Sequence, residues 1–160
     1  MASELRRKHA FGIRRAIPAD ADVLFDIWWR SVCQTHDFLT QDDLSALAPQ
    51  VRALGLVSLD TWVLCDAAAA PIGFLVMTGS SIEALFIAPE WMRRGGGSLL
   101  MKHAQSLRDR LSVDVNEQNV KGLEFYLSCG FSVNSRSDTD GEGRPFPILH
   151  LVEAQARGPI

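Results

Sequence analysis

Apolar positions along the chain fall into two spacings, and their succession sets out the elements. FGIRRAI, Phe11 to Ile17, has strand character and stops at Pro18. ADADVLFDIWWRSV then puts Val23, Leu24, Ile27, Trp28 and Ser31 or Val32 at helical spacing, with Asp20 and Asp22 in a first turn that favours carboxylates. A second helical pattern aligns Leu44, Leu47, Val51 and Leu54, and Pro49 inside it predicts a break or kink. TWVLCD and PIGFLVMTG read as strands, and the short link AAAAP makes them a hairpin. SIEALFIAP is a third strand, whose alternation places Ile82, Ala84 and Phe86 on one face and Glu83, Leu85 and Ile87 on the other. Three glycines follow, and Leu100, Ala104 and Leu107 then mark a helix that begins near Gly97 or Ser98. LSVDVN reads as a strand, and NVKGLEFYLSCG as a short helix closed by Gly130 as its C′ residue. FSVNSRS and FPILHLV are strands on either side of the polar loop DTDGEGRP.

Strand–helix–strand units imply parallel pairs and hairpins imply antiparallel ones, so the fold class is mixed α/β, a central sheet with helices on both faces. The 160 residues show no repeat, low-complexity stretch or linker, which predicts one domain over 1–160. Composition narrows the function. A net charge of -3 supplies no global basic field for nucleic acid or an anionic membrane, so any anion site must be local. Three scattered cysteines, Cys33, Cys65 and Cys129, make no disulfide framework, and Cys65 and Cys129 sit in apolar segments as small buried hydrophobes. MASELRRKHA lacks the apolar stretch of a signal peptide, and no apolar run approaches the roughly 18 residues of a membrane span. The expectation is a reduced, cytoplasmic, enzyme-sized domain.

The segment LFIAPEWMRRGGGSLLMKHA concentrates the chemistry. A strand ends at a proline, two arginines follow, and three glycines open a helix. A helix N-terminus presents unpaired N–H groups and a partial positive charge. Glycines let an anion come close to the backbone, and Arg93 and Arg94 add full charges that suit a phosphate or pyrophosphate. A flexible turn with two solvated arginines is the plainer alternative. A Walker loop needs Lys-Ser/Thr after its last glycine, and Ser98-Leu99 stands there instead. A dinucleotide fingerprint finds Gly95 and Gly97, has Asp114 roughly where a ribose acid belongs, and fails at Leu100. Dinucleotide binding stays open as a competitor.

Three stretches together, EALFIAP, EWMRRGGGSLL and NEQNVKGLEFYLSCGF, resemble the GNAT superfamily of acyl-CoA-dependent N-acyltransferases. The family's loop motif is Q/R-x-x-G-x-G/A, and its later helix follows N-x-x-A/G-x-x-F-Y-x-x-x-G-F. The resemblance implies a mostly antiparallel sheet of about seven strands, with a splayed parallel pair of fourth and fifth strands. It implies acetyl-CoA as co-substrate, its pyrophosphate held by the backbone N–H groups of Arg93, Arg94, Gly95, Gly96, Gly97 and Ser98. The pantetheine arm would lie between the fourth and fifth strands, against the backbone of Leu85, Phe86 and Ile87, with an N–H near Leu85 polarising the thioester carbonyl. Asn119 would hydrogen-bond the pantetheine, and the Tyr126 hydroxyl would meet the thioester sulfur. One departure stands out: Met92 occupies the position usually held by Gln or Arg.

Spacing bears on the last two assignments. Asn119 and Tyr126 are seven residues apart and share a helix face, with Gly122 between them, where a missing side chain lets a ligand lie close. Tyr126 is the chain's single tyrosine. A phenol of pKa about 10 stays protonated at neutral pH and can donate to a leaving thiolate, whereas a core tyrosine with a satisfied hydroxyl is the alternative.

The attacking amine must lose a proton, and Glu83, Asp114, His36 or a chain of waters could take it. THDFL, Thr35 to Leu39, reads either as an inter-helix turn or as a pocket wall carrying His36, Asp37 and Phe38. Trp28 fits the core stripe, and Trp29 does not, which makes Trp29 a substrate-side candidate. Four scattered histidines give no metal-ligand set. The sequence thus predicts a monomer or homodimer that transfers acetyl from acetyl-CoA directly to a primary amine, a protein lysine, an N-terminus or a small amine. The acidic balance favours such a cationic acceptor. A non-catalytic acyl-CoA-binding regulatory module and a nucleotide-binding domain are the alternatives.

Overall fold

The structure is a computed structural model and describes residues 11–57 and 60–154. MASELRRKHA and the side chain of Leu54 lie outside the described residues. Seven strands, β1 (Gly12–Arg15), β2 (Thr61–Cys65), β3 (Pro71–Thr78), β4 (Ser81–Ile87), β5 (Ser112–Asn116), β6 (Phe131–Ser137) and β7 (Ile148–Glu153), form one sheet in the order β1-β2-β3-β4-β5-β7-β6. Four α-helices join them: α1 (Ala21–Thr35), α2 (Gln41–Leu54), α3 (Gly96–Leu107) and α4 (Val120–Ser128). The sheet is mostly antiparallel. β4 and β5 pair in parallel through Ser81–Ser112 and Ile82–Val113, at the start of each strand. The mixed α/β class, the strand count and the parallel pair are therefore as the sequence predicts.

Two compact units share the chain: Met1–Val76 with Ala84–Leu100, and Met77–Glu83 with Met101–Ile160. In the first, Leu24, Ile27, Trp28 and Val32 of α1 meet Leu44 of α2 and Val63, Cys65 and Phe74 of the sheet. Ala84 and Phe86 pack on this core, as their shared strand face requires. In the second unit, Val113 and Val115 stand opposite Leu151 and Leu149, and all four are buried.

Three expectations change. Helix α2 does not break at Pro49. A proline withholds one N–H, and its ring crowds the carbonyl four residues back, here that of Ser45. Both residues are exposed, so water can reach that carbonyl, while a Thr40 cap and packing of Leu44, Leu47 and Val51 hold the helix on either side. Cys129 is half-buried rather than buried. Asp20 does not serve the dipole of α1 from its first turn. It is buried, takes both terminal nitrogens of Arg14 at 2.8 and 2.9 Å, and accepts the Ile17 N–H at 2.8 Å.

That cluster sets a pH-dependent part of stability. The hydrogen bond and charge of Arg14 hold the Asp20 carboxyl below the usual range, against the effect of burial. A depressed folded pKa gives stability that is complete above the ordinary aspartate range near about 4 and is lost as pH falls through the folded value. Asp20→Asn should cost about 1–3 kcal/mol at neutral pH. Urea unfolding at pH 7 and pH 3 checks this: the gap between wild type and variant should narrow at the lower pH.

Candidate active site

The glycine turn of the first unit is built for close packing and for a bend. Gly95 has φ +89°, a region that L side chains rarely adopt, and Arg93 before it is at φ +62°. α3 starts at Gly96, slightly earlier than the apolar spacing predicts. A Cβ on Gly96 would lie 2.7 Å from Leu64 Cδ2 and 3.3 Å from Ile87 Cδ1, so this glycine lets the helix start against the sheet. The first intrahelical bond runs from the Leu99 N–H to the Gly95 carbonyl at 3.1 Å. The N–H groups of Gly96, Gly97 and Ser98 precede it, as orphan donors of a helix N-terminus do. No acidic residue stands in the first turn to compete for them. The Arg94 guanidinium lies over the Trp91 ring at 5.1 Å, and Arg93 is exposed. The strand before the turn is held as well: Ser31, buried under it, donates to the Ile87 carbonyl at 2.6 Å. Leu85, Phe86 and Ile87 are half-buried at the end of β4.

The second unit places Asn119 and Tyr126 on one helix and its cap. Asn119 is the N-cap of α4, and its Oδ1 accepts the Gly122 N–H at 3.1 Å. A Cβ on Gly122 would come within 2.4 Å of Asn119 Nδ2. The missing side chain makes room for the Asn119 cap, and it leaves the Asn119 amide nitrogen as the group with donors to offer. Tyr126 is 9 % exposed, its ring edge-on to Phe125 and to Phe131 at 5.2 and 5.7 Å. Burial, and next the nearby Cys129, push its pKa well above that of a free phenol, so the hydroxyl keeps its proton. Among the described residues that hydroxyl has no hydrogen-bond partner. The ring is buried, but its oxygen is not among the fully buried polar atoms that lack a partner.

The THDFL segment is the turn between α1 and α2, and it also carries polar chemistry. The Thr35 hydroxyl donates to the Ser31 carbonyl at 2.7 Å and lies 2.8 Å from His36 Nδ1. Its single hydrogen is engaged, so Nδ1–H must be the donor, and Nε2 is the basic nitrogen. Burial lowers the His36 pKa, with an opposing contribution from Asp37. The ring lies 5.3 Å from that of Phe38, and Asp37 is exposed. Trp29 packs partly against the core beside Trp28, with ring centroids 6.2 Å apart.

The remaining acid candidates differ. Glu83 is exposed on β4. Asp114 is not solitary: it accepts from His150 Nδ1 at 2.7 Å, and His150 Nε2 lies 2.7 Å from Ser137 Oγ. Sequence reasoning singled out neither His150 nor Ser137. The alternation of ILHLVE could have exposed His150 as the one polar residue between two buried leucines. Nothing local marks Ser137, whose partner depends on strand pairing. No group of three or more His, Cys, Asp or Glu among the described residues is placed to hold a metal, and no described helix is long and apolar enough to cross a membrane.

A glycine-opened helix after β4, a parallel β4–β5 start and a buried tyrosine on α4 are the features in which the chain resembles acyl-CoA-dependent N-acyltransferases. The family model for the acetyltransferase (GNAT) domain matches residues 58–133, and the chain belongs to this family of acyltransferase enzymes. It is 39% identical over 140 residues to the peptidyl-lysine N-acetyltransferase YjaB of Escherichia coli, covering 88% of this chain and 95% of that protein. The solution structure of apo YjaB from Escherichia coli superposes with a TM-score of 0.85 at 37% identity, over 92% of this chain and 99% of that one. The fold also matches the PaiA N-acetyltransferase of Thermoplasma acidophilum in complex with coenzyme A, with a TM-score of 0.69 at 20% identity, over 88% of this chain and 98% of that one.

Proposed function

We propose that this chain is a single-domain enzyme that transfers the acetyl group of acetyl-CoA directly to the side-chain amine of a protein lysine, with Tyr126 as the general acid. The observation that carries the reading is the Tyr126 hydroxyl, kept protonated by burial and without a partner among the described residues. A hydroxyl that no described protein group engages, on a ring that is otherwise buried, suits a group that arrives with the substrate. In the first unit, the backbone N–H groups from Arg93 to Ser98 take the pyrophosphate. The Leu85 N–H polarises the thioester carbonyl, beside contacts from Phe86 and Ile87. In the second unit, the Asn119 amide nitrogen donates to the pantetheine and Tyr126 meets the sulfur.

The reaction follows from these roles. A neutral amine attacks the thioester carbon, and the backbone donor stabilises the charge that develops on oxygen. The carbon–sulfur bond then breaks, and Tyr126 hydrogen-bonds the departing thiolate. The hydroxyl, protonated until that bond breaks, then gives its proton to the thiolate and regains one from solvent. The lysyl acceptor is favoured by the peptidyl-lysine acetyltransferase activity of YjaB, the relative at 39% identity, and by the net charge of -3. His36, Asp37, Phe38 and Trp29 form the acceptor side in this reading.

Thermal unfolding with acetyl-CoA, and with NADH and ATP as controls, tests the ligand. At 100 times its dissociation constant a ligand adds about 2.7 kcal/mol, which should raise the melting temperature by roughly 5–10 °C. A rise with acetyl-CoA alone supports the reading, and a rise only with NADH or ATP removes it.

A further inference from the structure

Asp114, His150 and Ser137 come from three adjacent strands and form an unbroken hydrogen-bonded chain. A carboxylate only accepts, so His150 Nδ1 carries the hydrogen that reaches Asp114, and Nε2 accepts from the Ser137 hydroxyl. Strand pairing fixes where the chain stands. Asp114 is opposite His150 on β5 and β7, and Ser135 and Ser137 on β6 are opposite His150 and Ile148, so all of them share one face of the second unit's sheet. The other face carries Val113, Val115, Leu149, Leu151, Phe131 and Glu153. The helices pack on that side: Tyr126 of α4 is edge-on to Phe131, and Gln105 of α3 donates to Glu153. Tyr126 and His150 are thus on opposite sides of the same sheet. A direct transfer needs a proton donor at the leaving sulfur and a proton acceptor at the incoming nitrogen, on different sides of the carbonyl carbon. Asp114 follows Val113, which pairs with Ile82 where β4 and β5 run parallel.

We propose that Ser137, His150 and Asp114 are the proton relay that makes the acceptor amine nucleophilic, an inference that rests on the acetyltransferase reading above. The ammonium passes a proton to Ser137 Oγ as that hydroxyl gives its own to His150 Nε2. The products are a neutral amine and an imidazolium whose charge the Asp114 carboxylate offsets. Afterwards the imidazolium returns its proton to water, which reaches a side chain that is 34% exposed. Imidazole is the side chain whose ordinary ionisation lies nearest neutral pH, so it can both take and release a proton. Asp114 faces it from β5, Ser135 and Ser137 lie on the same face of β6, and Arg136 of β6 is engaged by Glu117 and Asp138. His36 is the poorer acceptor, because burial penalises its charged form and its Nδ1 meets a neutral hydroxyl in place of a carboxylate.

The test compares two acceptor peptides, one with lysine and one with an aminooxy group that is already neutral at pH 7. His150→Gln should lower kcat/KM for the lysyl peptide by about 10²–10³-fold and for the aminooxy peptide by about tenfold or less. The acetyl-CoA thermal shift should persist in the same variant. Asp114→Asn, which removes only the carboxylate's charge, should show the same acceptor dependence if His150→Gln folds poorly. Equal losses with both acceptors, or no loss with either, would overturn the relay while wild-type turnover left the transferase reading standing. An acetyl group found on Ser137 by mass spectrometry would also overturn it, since the serine would then be a nucleophile. A wild-type protein that acetylates neither peptide would overturn both readings together.

Discussion

Tyr126→Phe should lower kcat by about 10²–10³-fold and leave the acetyl-CoA-induced rise in melting temperature intact. The ring is held between Phe125 and Phe131, and phenylalanine keeps both edge contacts. The hydroxyl gives the fold no hydrogen bond among the described residues, so its removal should not unfold the protein. What disappears is a donor aimed at a charge that exists only as the carbon–sulfur bond breaks. Such a loss falls on kcat rather than on affinity. Because burial raises the Tyr126 pKa, no limb of the wild-type rate profile near neutral pH should come from this phenol. Steady-state kinetics on the variant, beside its thermal shift, separates a catalyst from a pure binder: a binder would change in neither measurement.

Gly95→Val should have the opposite signature. At φ +89° a β-branched residue is strongly disfavoured, and the conformation costs of order 1–3 kcal/mol if it persists. The turn would escape that strain by changing shape, and the N–H groups that follow it would lose their common aim. Acetyl-CoA affinity should fall by about 10–100-fold, with kcat at saturation within a few-fold of wild type. Titration calorimetry checks the affinity. A variant that binds normally would assign the phosphate grip to the arginine side chains instead, against the backbone reading.

Most of the fold was legible in the sequence because its elements differ in period. Leu24, Ile27, Trp28 and Val32 repeat as a helix stripe and are buried as one. The AAAAP link is closed by Asp66, whose carboxylate takes the Ala68 and Ala70 N–H groups at 2.9 and 3.0 Å. No break forms at Pro49 because the missing N–H is set against tertiary packing on both sides of it, and packing prevails. At Gly122 the space that a side chain would take is bordered by Asn119, the neighbour that caps the helix. The residues invisible in the sequence are those defined by register. Asp114 stood out as an acid, but Ser137 and His150 did not, and only the order β5-β7-β6 with a shift between Val133 and Ser135 brings them into one hydrogen-bonded line with it.

The most direct test of the account is acetyl transfer itself: purified protein, acetyl-CoA and a lysine-containing peptide, with free thiol release and peptide mass followed together. The account predicts thiol release matched one for one by acetylated lysine, and both abolished together by Tyr126→Phe at low enzyme. Tight acetyl-CoA binding with no thiol release from any amine, or full transfer by Tyr126→Phe, would contradict it.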